Sequence, residues 1–189
     1  MSRIRTSIGE VGLTFAEREV VLRPSLYAMS KLGTPTEIVE IFATLFAPNA
    51  RPRDVFHAAL DVIQACTDED ISDFTGHMGS RYGTWVSGHI PMPDLLPIGR
   101  SLARHGIVGV VPEIKRAAPA EGDYKAEFDP REFVSQAIAH LGFSEDDAWN
   151  MTATSFILAM RAKYPPEQSK APSKEDLERM EGFLDEIGR

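Results

Sequence analysis

His57 and Cys66 are the closest approach to a nucleophile and its base in this chain. They fall nine residues apart in one predicted helix. Nine residues is about two and a half helical turns, so the two side chains leave from opposite sides and cannot readily pair. Cys66 therefore reads as a small buried hydrophobe. The five histidines, His57, His77, His89, His105 and His140, show no HExxH or comparable metal-ligand spacing. His105 and His140 are expected in the last turns of helices ending at Gly106 and Gly142, where a helix dipole favours a cation. The acidic runs Asp68-Glu69-Asp70 and Glu145-Asp146-Asp147 lack the alternating layout of an EF-hand loop, and dipole complementation at helix starts explains both. GHMGSRYGTWVSG holds Gly76, Gly79, Gly83 and Gly88 but no P-loop or dinucleotide fingerprint. No catalytic residue, metal site or cofactor is expected, and a non-enzymatic binding or assembly protein remains by elimination.

The bulk properties agree. Twenty basic against 28 acidic residues give a net charge of −8. That balance argues against a nucleic-acid binder, which must neutralise phosphates with an excess of Lys and Arg. Arg100, Arg104, Lys115 and Arg116 cluster at the end of the first half, more simply a solvated face than a binding patch. A single Cys rules out an internal disulfide framework and suits a reducing cytoplasm. No apolar run spans a bilayer, and no apolar core follows Arg3 and Arg5 as a secretory leader requires.

The elements that would position any site are mostly helical. β-branched and aromatic residues with breaks at Gly9 and Gly12 predict a hairpin around Thr6–Ile8 and Leu13–Phe15, with Glu19–Leu22 beside it. Ser25 starts a helix that ends near Gly33, and Thr34 or Thr36 caps the next, whose face is Ile38, Ile41, Phe42 and Leu45. Pro52 opens a third helix, with Val55, Ala59, Val62, Ile63 and Cys66 buried. Thr67 is expected to cap a short helix, Trp85–Val86 to be extended, and Leu96 to His105 to be helical. A small, polar linker follows, then helices begun by Asp129, Ser144 and Thr152, the first with Phe133, Ala137, Ile138 and Leu141 on one face.

The expected architecture is mainly α. A helical amino-terminal domain, residues 1–116, carries a short β-like amino-terminal segment. A linker, 117–128, joins it to a small helical carboxyl-terminal unit, 129–166. A charged tail, 167–189, carries Leu177, Met180, Leu184 and Ile187 at helical spacing.

Leu141-Gly142, Ser144 to Asp147, Trp149, and Met151-Thr152 running to Phe156 resemble the signature of the tail assembly chaperones of long-tailed bacteriophages and gene transfer agents. One departure is Ser155, where that family usually has an acidic residue, so the Thr152 capping box is expected to lack its reciprocal bond. Upstream, Arg23-Pro24-Ser25 and Gly33-Thr34-Pro35-Thr36-Glu37-Ile38-Val39 resemble the start of prophage-type tail proteins. Arg53 to Phe128 carries no such resemblance.

The resemblance implies a cytoplasmic factor of the bacterial host, a phage or prophage tail assembly chaperone. Such a factor binds the tape measure protein while the tail tube protein polymerises around it, and it can self-associate. Nucleic acid and membrane are not implied as partners. Helix-in-groove binding needs an apolar groove and no catalytic group. Trp149, Phe156, Ile157 and Met160 are the candidate partner-binding residues, with ordinary core as the competing reading for each. The alternative function is a structural minor tail or connector component of the phage particle, with the Gly-rich loop as an arm that orders on assembly.

Overall fold

The computed structural model describes residues 4–80, 83–111 and 127–165. Lys115, Arg116, most of the expected linker and the tail 167–189 lie outside them.

The chain begins with a 3-10 turn, Thr6–Ile8, and then an antiparallel hairpin of β1 (Val11–Phe15) and β2 (Arg18–Leu22). Thr6–Ile8, expected to be extended, is a turn because Gly9 takes a left-handed conformation (φ 93°) and donates its N–H back to Thr6 O. Leu13, Val20 and Leu22 point into the core. The buried Glu10 carboxylate holds the hairpin's entry and exit together, accepting from Arg5 N at 2.7 Å and Arg23 Nε at 2.8 Å.

Helices follow in the order the sequence pattern suggests: α1 (Leu26–Ser30), α2 (Pro35–Phe46) and α3 (Pro52–Ala65). Thr34, the N-cap of α2, closes a full capping box with Glu37. The expected helix from Thr67 reduces to one turn, α4 (Ser72–Thr75). Thr67 Oγ1 accepts from Glu69 N and Asp70 Oδ1 from Ser72 N, and such local bonds compete with helix formation. The acidic run therefore serves no helix start. Asp68 pairs with Lys31 at 2.8 Å, while Arg18 reaches Glu69 and Asp73 and ties the hairpin to this loop.

Strands β3 (His77–Met78) and β4 (Trp85–Val86) pair antiparallel and are followed in the chain by α5 (Met92–Ala103). Helix α5 begins before the expected Leu96 and does not stop at Gly106. It continues through a π turn, Arg104–Val108, which ends at Gly109 (φ 79°) with Gly109 N donating to Arg104 O at 2.8 Å. Gly106 lies inside this turn, and Met29 occupies the space a side chain there would need.

The carboxyl-terminal helices are α6 (Pro130–Gln136), α7 (Glu145–Trp149) and α8 (Ala153–Lys163). A π turn, Ala137–Leu141, extends α6 to Gly142. Its i→i+5 bonding inserts an extra residue, which rotates Ile138 off the stripe begun by Phe133. Ile138 is exposed, and Val134 takes its place in the core. The Thr152 capping box is complete after all: Ser155 Oγ accepts from Thr152 N at 2.9 Å, so a hydroxyl does the work expected of a carboxylate.

These helices share one hydrophobic cluster with the amino-terminal elements. Val134, Ala137, Ala148 and Phe156 join Leu22, Leu26, Met29 and Ile38 in it. An antiparallel bridge pairs Ser25 with Thr152, Leu26 N donates to Met151 O at 2.7 Å, and Phe128 N donates to Pro35 O at 3.1 Å. The fold is mainly α with two small two-stranded sheets. Among the described residues, no helix is long and apolar enough to cross a membrane.

Candidate partner-binding cleft

The residues with chemical potential are kept apart. Cys66 is buried, and desolvation pushes its thiol far above the ordinary range, so it is held as an unreactive thiol. His57 lies on the exposed side of α3, 3.4 Å from Arg53 Nε. Among the described residues no three His, Cys, Asp or Glu side chains group to hold a metal ion.

His105 departs from its expected role. It sits inside the π turn, half-buried, with Nδ1 2.9 Å from Thr154 Oγ1. Thr154 is fully buried and also accepts from Val110 N at 2.9 Å, so one hydroxyl joins the end of α5 to the start of α8. Burial lowers the His105 pKa, so the folded state binds its proton more weakly than the unfolded chain does. The contribution of His105 to stability is therefore complete above its unfolded pKa of about 6.5 and declines as pH falls toward the lower folded value. Urea midpoints measured between pH 7.5 and 5 should decrease, and His105→Gln should flatten part of that slope. An unchanged slope in the variant would refute the assignment.

The four sequence-derived binding candidates all pack in or against the core, with different exposures. Trp149 is half-buried on the outer side of α1, edge-on to Tyr27 at 6.4 Å. It borders a cleft of about 630 Å³ with Pro35, Asp129 and Arg131. Phe156 is 5% exposed and belongs to the core. Ile157 lies over Gly109, close enough that a Cβ there would come within 2.4 Å of its Cδ1. Met160 packs half-buried against the core.

A different surface has the character of a protein-binding site. Helix α2 presents Val39, Phe42 and Ala43, spaced so that they share one side of the helix. Helix α6 faces it with Glu132, Phe133 and Gln136. Between them lie Ile107 and Val108 of the first π turn and Phe128. The resulting cleft holds about 550 Å³. Val108 is 54% exposed, a large apolar residue left in solvent at the cleft. The aromatic rings continue inward, from Phe128 to Phe133 at 5.0 Å and from Phe133 to Phe156 at 5.3 Å. The cleft thus rests on the core through Phe133.

Arg100 and Arg104 do not form a free basic patch. Arg100 Nε donates to Leu45 O at 2.8 Å, closing the carboxyl end of α2, and both guanidinium groups lie over Phe46 at 5.9 and 4.9 Å. They fix α2 against α5 and so set one wall of the cleft. Part of the cleft was visible beforehand, since Phe42 belongs to the predicted apolar face of α2. Val108 carried no such signal, because a π turn leaves no spacing that distinguishes it from an ordinary helix end.

A protein-family model described as a family of unknown function (DUF6246) matches residues 47–179. No curated protein and no solved structure matches the chain.

Proposed function

The chain belongs to DUF6246, a family of unknown function, and we propose that it is a non-enzymatic tail assembly chaperone of a long-tailed bacteriophage or prophage. It works in the host cytoplasm, holding helical segments of the tape measure protein while the tail tube assembles. The observation that carries this reading is the apolar cleft between α2, α6 and the Arg104–Val108 turn. Two helix faces set side by side leave a furrow into which the apolar ridge of a third helix can lie. An apolar patch left in solvent is itself a mark of a binding surface. The resemblance of Leu141–Phe156 to the chaperone signature supplies the partner class.

The test is co-expression of the full chain with the cognate tape measure protein, followed by affinity purification. Wild type is expected to bring the tape measure protein down in soluble form. Val39→Glu and Val108→Glu, with unchanged circular dichroism, are expected to reduce recovery about tenfold or more, since each places a charge in the desolvated contact. Trp149→Ala is expected to bind like wild type. Failure of the folded wild type to retain any part of the tape measure protein would overturn the reading. Stoichiometric copies in purified particles would replace it with the minor tail or connector component.

A further inference from the structure

We infer that the segment taken by the cleft is an amphipathic helix with a cationic flank, an inference that rests on the chaperone reading for its biological partner. The charges at the cleft are one-sided. Glu127, Asp129 and Glu132 are the charged groups along it among the described residues, and no Lys or Arg shares the lining. Asp129 is already engaged, with its carboxylate bonded to the Arg131 guanidinium at 2.8–3.2 Å and to Arg131 N at 3.0 Å. Glu127 and Glu132 are both exposed and, among the described residues, neither takes part in an ion pair. Glu132 stands on the same face of α6 as Gln136 and beside Phe133, so its carboxylate lies next to the apolar contact.

A helix lying between α2 and α6 would bury an apolar stripe on Val39, Phe42, Val108 and Phe133. Its flank would then run past Glu132. A Lys or Arg there is attracted, and an acidic residue is repelled. The same charge argument disfavours two other occupants. A second copy of this chain carries a net charge of −8. The segment 167–189 has the right apolar spacing but holds seven acidic against four basic residues.

The probes are two synthetic helical peptides with one shared Leu stripe, one with Lys on the flanks and one with Glu. Each is titrated against the full chain by fluorescence anisotropy. The Lys peptide is expected to bind roughly tenfold tighter at low salt, with the preference shrinking as salt rises. Glu132→Lys combined with Glu127→Lys is expected to abolish or reverse the preference, and Val108→Glu to weaken both peptides. Equal binding of the two peptides by wild type would overturn the inference. So would binding indifferent to Val108→Glu, or no binding of either peptide because a second copy or the chain's own segments fill the cleft. The two readings separate cleanly. Tape measure binding with no charge preference sinks the cationic flank alone. Lys-peptide binding without tape measure binding sinks the chaperone and leaves the cleft chemistry.

Discussion

Phe156→Ala is expected to lower the stability of the folded chain by roughly 3–5 kcal/mol, the usual cost of truncating a buried Phe. Phe156 is 5% exposed and makes an edge contact with Phe133 at 5.3 Å. Truncation removes its buried ring and leaves a cavity that the helical frame on either side cannot close. For a chain of this size the melting temperature should fall by about 6–20 °C. The effect separates two roles that the sequence left open. A residue of the partner surface would lose binding and keep stability; Phe156 should lose stability first. Phe156→Leu retains much of the volume and is expected to recover most of it. A folded Phe156→Ala with a wild-type melting temperature would place the residue outside the core and restore it as a binding candidate.

Gly99→Leu is the second large effect, about 1–3 kcal/mol destabilising and toward the upper end of that range. Gly99 is where α5 touches α3. A Cβ added there would stand 2.8 Å from Ala59 Cβ, 2.9 Å from its Cα and 3.0 Å from its carbonyl oxygen. Two of those three atoms are backbone, so no side-chain rotation relieves the clash and the helices must separate. The smaller change tests the sign. Gly→Ala in an exposed helix interior stabilises by about 0.8–1 kcal/mol. Gly99→Ala should instead destabilise, measured by urea unfolding. Ala59→Gly in the Gly99→Ala background should restore only part of the loss, because Cα and the carbonyl oxygen remain. A stabilised Gly99→Ala would show that α3 and α5 are not in close contact.

Much of the frame was legible because its signals are local. Thr34, one of the two caps expected for α2, Ser144 with Asp147, and Asp129-Pro130 each start the helix they were expected to start. The apolar residues of α3 are buried where the spacing put them, with Cys66 among them. Thr152 was recognised as a cap, yet its box was read as open. The convention expects a carboxylate at the third position, whereas the geometry requires only an acceptor within reach of Thr152 N, which Ser155 Oγ provides.

What failed did so for non-local reasons. The acidic run after Thr67 looks like a helix start until Arg18 and Lys31, far away in the chain, draw its carboxylates into ion pairs. His105 looks like a terminal dipole partner until Thr154 meets it from α8. Ile138 looks like core because a spacing rule assumes a constant turn, and the π turn breaks that assumption.

The sequence by itself determined a mainly helical chain, most of its caps, the buried face of α3, the Ile38 and Leu45 half of the α2 face, and a net charge of −8. Each of these depends on residues a few positions apart, which periodicity and capping chemistry can reach. The tertiary structure decided which apolar residues face solvent together. Val39 and Phe42 from α2, Val108 from the first π turn and Phe133 from α6 meet in one cleft only because α6 packs on α1 and so comes to line the same cleft as α2. Trp149, Phe156, Ile157 and Met160, near neighbours in sequence, all pack in or against the core, and none of them lines that cleft. A side chain's local pattern fixes its side of a helix; only the packing of that helix against others decides whether the side is core or surface.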